Sequence, residues 1–292
     1  MSWPNLTDLV TPAPADAPVG LVGVPLGIGS VTPGNCDEAP AGLRKVLRRI
    51  GRYDVDTGRE LSSRVADHGD VALEGETIEA VTGAMVDAIA SSVDAHALSL
   101  VIGGNNAVTR PCVHALGLPL GKVGLITLDA HFDMRGTEDG LLNGNPVRAL
   151  LEDGLPGANV AQVGLLPFAN SKVMHDDARA AGNRVITLAE AEAMGVMAAI
   201  SAAIAHLDHV EAIVVDCDID VIDRAQFPGA PGARPGGMQA RDFFAAVRRL
   251  AAEPRVRIVD LVEWDPPLDG TDLSSLVAGR WMAEALAGFE SR

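Results

Sequence analysis

Val123–Arg135 reads VGLITLDAHFDMR. Its first half, Val123 to Leu128, is apolar or uncharged throughout and does not alternate, which suits a strand covered on both faces. Asp129, His131 and Asp133 then occupy every second position. On an extended backbone these three side chains share one face. Two carboxylates and an imidazole converging at a strand end are costly to desolvate unless a cation sits between them. An oxygen-rich set with one His suits Mn²⁺ or a similar divalent ion.

The same design recurs at Val214–Asp223, VVDCDIDVID, where Asp216, Asp218 and Asp220 alternate directly after an apolar run. Further apolar runs are Pro18–Val24, Val65–Leu73, Ala97–Gly103, Asn159–Leu165, Arg184–Leu188 and Arg255–Val262, with Glu211–Val215 leading into the second cluster. Ala-rich helical stretches lie between them, at Thr77–Val93, Met194–Leu207 and Ala240–Ala252. Alternating strands and helices predict one doubly wound, mostly parallel sheet. Such sheets bind ligands at the C-terminal ends of their strands, where both clusters fall.

Composition agrees. The chain has 292 residues, 48% of them hydrophobic, which excludes a disordered tail. Its formal charge of −16 argues against nucleic acid and against anionic membrane surfaces, since both recruit clustered Lys and Arg. The longest apolar stretch, Ala193 to Ala205, is broken by Gly195 and Ser201 and falls short of the ~20 residues of a membrane helix. Three cysteines without a CxxC spacing indicate neither a disulfide framework nor a thiolate zinc site. With no basic n-region or apolar h-region at the start, the expectation is a soluble, cytoplasmic, reduced protein. No linker divides the chain, so residues 1–292 are read as one domain, with 1–16 a loose, Pro-containing lead-in. EF-hand spacing is absent, and the loop GAPGARPGG (229–237) lacks a phosphate-cradling pattern, so it is read as a rigid loop beside the cleft.

In family order, Gly103-Gly104-Asn105-Asn106, DAHFD at 129–133, Asn143-Gly144-Asn145-Pro146, DxDxxD at 218–223 and Glu263 within VEWDPP resemble the ureohydrolase superfamily, which contains arginase, agmatinase and formimidoylglutamase. The resemblance runs from about Gly20 to the C-terminus. It implies a three-layer α/β/α fold with about eight strands, a cytoplasmic homo-oligomer, and two Mn²⁺ ions. Asp129 and Asp218 would bridge the ions, His131 and Asp220 would hold one, and Asp133 would help hold the other. Asn106 stands where arginases and agmatinases have a metal-binding His. An amide binds Mn²⁺ more weakly than imidazole does, so one site is expected to be weak. Asp216 is expected behind the ligands, and Asp223 is expected to fix its loop.

The activity implied is hydrolysis of an amidine or guanidine, with catalytic duty on Glu263, Asp220 and Asn143. Glu263 would take the amidinium by paired hydrogen bonds. Asn143 replaces a loop His and cannot shuttle a proton, so the leaving amine would be protonated from water or from Asp220. DAHFD followed by Met134-Arg135 looks most like formimidoylglutamase. Arg135 would then meet a substrate carboxylate, with Asn145 also at the substrate and Arg110 and Arg148 as further cations. The expected substrate is N-formimidoyl-L-glutamate, a histidine breakdown intermediate. Alternatives are another guanidino compound, or a catalytically weak binding protein of the same fold. Cys217 and Trp264 are read as packing residues, Cys36 as a silent loop thiol and His68 as structural.

Overall fold

The computed structural model describes residues 3–292. Its strands are β1 (Val10–Pro12), β2 (Val19–Val24), β3 (Tyr53–Asp54), β4 (Arg59–Glu60), β5 (Val65–Asp70), β6 (Leu98–Gly103), β7 (Val123–Leu128), β8 (Val160–Leu165), β9 (Arg184–Thr187), β10 (Ala212–Cys217) and β11 (Val256–Leu261). β3 and β4 form a separate antiparallel hairpin. The other nine make one parallel sheet in the order β1-β5-β2-β6-β11-β10-β7-β8-β9. The eight apolar runs thus become eight strands, of which β2, β6, β7, β8 and β10 are buried along their whole length, as unbroken hydrophobicity requires.

Within each central strand, alternate residues feed two cores. Leu100, Ile126, Val215 and Leu261 pack on one side with α1 (Ala39–Val46), α6 (Leu188–Met194), α7 (Val196–His206), α8 (Ala240–Ala251) and α9 (Leu273–Phe289). Val101, Leu125, Val214 and Ile258 pack on the other with α2 (Ile78–Ala95), α3 (Thr109–Ala115), α4 (Pro146–Glu152) and α5 (Lys172–Ala181). The result is a three-layer sandwich with helices on both faces. Cys217 and Trp264 are fully buried in the first of these cores, and His68 pairs with His96 at 2.9 Å.

Two expectations change. The ninth strand, β1, comes from the stretch read as a loose lead-in. From Asn5 onward that stretch is ordered: Asn5 caps a short 3₁₀ turn, Leu6 and Leu9 are buried, and β1 pairs in parallel with β5. Three prolines concealed two apolar anchors three residues apart. Pro12 is tolerable there because β1 is an edge strand. The helix expected from Met194 to Leu207 is broken at Gly195, whose φ of 88° ends α6 and starts α7. Among the described residues no single helix is long and apolar enough to cross a membrane.

Candidate metal centre and cavity

Four adjacent strands at the middle of the sheet, β6, β11, β10 and β7, deliver the site residues from their C-terminal ends. β7 runs into Asp129, His131 and Asp133. β10 runs into Asp218 and Asp220, β11 into Glu263, and β6 into Asn105 and Asn106.

The carboxylates converge. Ligand atoms of Asp129, His131 and Asp220 lie within 4.8 Å of one another, and so do those of Asp129, Asp133 and Asp218. Asp129 belongs to both groups, which places it between two neighbouring cation positions. Asp218 belongs to one, and one of its oxygens accepts the Asp220 N–H at 3.0 Å. All four Asp side chains are buried. His131 Nδ1 lies 3.0 Å from Asp220 Oδ2 and 3.6 Å from Asp129 Oδ1. Asp129 Oδ2 is buried without any hydrogen-bond partner among the described residues.

The electrostatics show what gathering these carboxylates costs. Burial, followed by the repulsion of its neighbours, raises Asp218 and Asp133 well above the usual carboxylate range. Burial pushes Asp129 up to about 6. Burial opposes charge on His131 too, but Asp220 and Asp129 outweigh it and lift the imidazole to about 11. A buried, orphaned, oxygen-rich set with one imidazole is the donor chemistry of a hard to borderline divalent ion, and Mn²⁺ fits it.

Glu263 stands beside this cluster rather than in it. Its Oε1 accepts the Asn106 N–H at 2.7 Å and the Asn143 Nδ2–H at 2.9 Å. Burial pushes this carboxyl up to about 7. Glu263 and Asp133 both adopt left-handed backbone, at φ 62° and 53°, a conformation costly for residues with a side chain. Gly104 makes the approach of these loops feasible: a Cβ there would sit 2.1 Å from the Leu26 carbonyl oxygen, while its own carbonyl takes the Glu263 N–H.

A cavity of about 300 Å³ opens above the cluster. Its floor includes His131, Asp133, Asp218, Asp220 and Glu263. Asn143 lines it as well, and its Oδ1 accepts the Val31 N–H, tying two loops together across the mouth. Arg135 lines it, packed along Gly144. Other sequence candidates are placed elsewhere. The buried amide of Asn145 is spent on Leu142, Gly136 and Gly140, so it shapes the loop wall rather than the cavity surface. Arg110 pairs with Asp153, and Arg148 pairs with Asp177. The Asn106 amide donates to Asp133 and accepts from Thr109 Oγ1 at 2.7 Å, so it supports a cluster carboxylate and points neither group freely inward. Asp216 lies behind the ligands against Asp260, another buried carboxyl, and burial raises both. Asp223 holds the loop: its carboxylate accepts the Ala225 and Gly236 N–H groups at 2.8 and 2.6 Å.

Sequence reasoning passed over Gly232 and Arg234. Both line the cavity, on the loop of residues 229–237. A Cβ at Gly232 would lie 2.0 Å from Asp220 Oδ2, so only glycine leaves that carboxylate in place. The available signal was an arginine inside a Gly/Pro loop following the second carboxylate cluster.

Comparison with known proteins follows the geometry. A model of the arginase family matches residues 17–288. A formimidoylglutamase of Halalkalibacterium halodurans is 31% identical over 275 residues, 92% of this chain and 86% of that protein. The crystal structure of formimidoylglutamase from Bacillus subtilis superposes with a TM-score of 0.92 at 28% identity, covering 98% of this chain and 91% of that one. A Trypanosoma cruzi formiminoglutamase crystallised with Mn²⁺ gives a TM-score of 0.91 at 24% identity over 99% of each chain, a likeness that bears on the fold alone.

Proposed function

The chain belongs to the arginase family, and from that premise we propose that it hydrolyses N-formimidoyl-L-glutamate to L-glutamate and formamide. The observation that carries this reading is the polarity of the cavity. Its floor is carboxylate, with Glu263 beside the cluster, while Arg135 and Arg234 stand in its lining. A substrate with a cationic amidine head and an anionic tail fits that gradient. Agmatine, cationic at both ends, does not.

Asp129, His131, Asp133, Asp218 and Asp220 would hold two Mn²⁺ ions. Bound there, the ions supply an activated water at neutral pH and Lewis acidity. The chain's own residues do the rest. Glu263 is held through Oε1 by two donors, and its Oε2 accepts no hydrogen bond among the described residues. It orients the planar amidinium by charge-assisted hydrogen bonds. Asn143 fixes Glu263 and, lacking an ionisable proton, takes no part in proton transfer. The formimidoyl carbon gains oxygen from water and its bond to the glutamate nitrogen breaks. That nitrogen leaves with a proton supplied by water or by the Asp220 carboxyl, which lines the cavity.

A cytoplasmic homo-oligomer is part of the same reading. All three cysteines are free and buried, as a reduced compartment permits. Light scattering of the purified chain tests the assembly. The activity is tested by product formation from formimidoylglutamate, arginine, agmatine and a short guanidino acid after Mn²⁺ loading, with metal counted in the same sample. Turnover of formimidoylglutamate alone is the expected result. A full metal complement with turnover only of a guanidino compound would overturn the substrate, and an empty site without turnover would overturn the enzyme.

A further inference from the structure

We propose that Asn105 is a positioning residue for the hydrolysis: through the loop of residues 26–31, and then Asn143, it sets the aim of the Glu263 carboxylate. The inference rests on the amidine-hydrolase reading and adds to it the groups that hold the amidinium acceptor in place.

Glu263 Oε1 has two donors, and both lead back to residue 105. One is the N–H of the adjacent residue, Asn106, at 2.7 Å. The other, Asn143 Nδ2–H, is reached by a longer route that starts at the Asn105 side chain. Asn105 is fully buried at the end of β6. Its Nδ2 donates to the Ile28 carbonyl at 2.7 Å and to Ser30 Oγ at 2.9 Å, both on the loop that follows β2. A primary amide has two N–H donors, so both are spent on this loop. Its Oδ1 accepts the Ala107 N–H at 3.2 Å, and its own N–H donates to the Leu26 carbonyl at 2.9 Å.

The clamped loop in turn holds Asn143. Gly29 turns the chain at φ 74°, and its carbonyl accepts the Asn143 N–H at 3.0 Å. A Cβ at Gly29 would lie 2.4 Å from Ile78 Cδ1, so the turn is closely packed. Two residues on, the Val31 N–H donates to Asn143 Oδ1 at 2.8 Å. With Oδ1 engaged in this way, the amide plane is fixed and Nδ2 is the end presented to Glu263. The other side-chain hydrogen bond of Ser30, from Oγ to the Gly27 carbonyl at 3.2 Å, joins the loop only to itself. Asn105 is therefore the side chain that fastens residues 28–30 to the sheet.

The circuit stands apart from the metal centre. Asn105, Ile28, Ser30, Val31 and Asn143 belong to neither group of converging ligand atoms. Loss of the Asn105 amide would therefore tilt Glu263 without emptying the site. The carboxylate keeps its charge and still attracts the cation, so binding changes little. What suffers is the angle at which the amidine carbon meets the attacking water, and a misplacement of that kind costs up to about 100-fold in rate.

The test uses the full chain loaded with Mn²⁺ and the variants Asn105→Ser, Asn143→Ala and their combination. Serine keeps an oxygen for the Ala107 N–H but is too short to reach Ile28 and Ser30. Asn105→Ser is expected to retain its Mn²⁺ content and to keep KM for N-formimidoyl-L-glutamate within about threefold, while kcat falls about 10–100-fold. Asn143→Ala should show the same split. The double variant should lose no more than about twofold beyond Asn143→Ala alone, because the two residues act in series. Losses that multiply, or a loss carried by KM or by missing metal, overturn the proposal. Hydrogen exchange supplies a readout without turnover. Asn105→Ser should speed exchange of the Val31 and Asn143 backbone amides by at least about tenfold and leave β6 and β7 protected. Unchanged exchange at those two amides also overturns the proposal. Asn105→Asp, nearly isosteric, replaces both donors by a buried acceptor against the Ile28 carbonyl, and it should reproduce both results if the serine variant folds poorly. If wild type hydrolyses no amidine but exchange at those two amides depends on Asn105, the activity reading fails while the coupling from Asn105 to Asn143 stands.

Discussion

Gly232→Ala adds one methyl group to the wall of the metal centre, and its effect can be worked out from distances. The ideal Cβ lies 2.0 Å from Asp220 Oδ2 and 3.2 Å from His131 Cε1. Carbon and oxygen need roughly 3.3 Å, so one of the two groups must retreat by more than about 1 Å. The loop is poorly able to move, because Asp223 ties it at Gly236 and Arg224 ties it at Ala230 and Ala233. Asp220 therefore yields. It then loses its 3.0 Å contact with His131 and its place among the ligand atoms grouped with Asp129. Disturbing a group one step removed from a metal costs about 10–100-fold in affinity, and displacing a ligand should cost at least the upper figure, about 2.7 kcal/mol. Overpacking lowers the stability of the metal-free protein by about 1–3 kcal/mol besides. The assay is Mn²⁺ titration calorimetry with metal counted after dialysis. The control is Gly83→Ala on α2, where an added Cβ meets nothing within 4 Å. That variant should bind Mn²⁺ as wild type does and gain about 0.5–1 kcal/mol of stability. A Gly232→Ala protein that binds Mn²⁺ within threefold of wild type would refute the assignment of Asp220 and His131 to one ion.

Three further outcomes are expected. Glu263→Gln should keep its Mn²⁺ content but lose about 10³-fold in kcat/KM on the amidine, since the amide cannot offer the cation a charged acceptor; retained activity would move substrate orientation to another group. Asp218→Ala should abolish Mn²⁺ binding and turnover while leaving the far-ultraviolet circular dichroism unchanged, and undiminished turnover would remove Asp218 from the centre. The metal-free protein should become less stable as pH rises from about 4.5 towards 7. Asp129 and Glu263 are lifted to about 6 and about 7 from ordinary values of 3.8 and 4.5, so in that window the folded chain holds protons that the unfolded chain has released. Urea unfolding in chelator should therefore show stability falling with pH. Mn²⁺ should flatten the slope by replacing those protons, and a chelated protein whose stability rises across the window would contradict the buried, proton-holding cluster.

Local pattern made a large part of this protein legible. Uninterrupted Val/Ile/Leu runs between helical stretches specify strands covered on both faces, because period and hydrophobicity act over a few neighbouring residues. Alternation at 129–133 and at 216–220 places carboxylates on one face of a strand end, and like charges gathered there need a cation. From those features follow a parallel α/β sheet and a metal-binding edge. The ninth strand was hidden because its stability comes from Leu6 and Leu9 packing into a distant core and from pairing with β5, neither of which shows in a Pro-rich segment.

Tertiary structure decided what depends on distant partners. Strands far apart in the chain become neighbours in the order β6-β11-β10-β7, and only then do Asn106 and Asn143 converge on Glu263, across 157 and 120 residues of sequence. The same holds for the arginines. Local sequence sets Arg135 beside the first carboxylate cluster, but nothing in it shows that Arg110 and Arg148 are neutralised while Arg135 and Arg234 are not. The fold brings a carboxylate to each of the first two and leaves the second two facing the cavity. Charge compensation acts through space at a few ångströms, whereas sequence pattern reports only the neighbours along the chain.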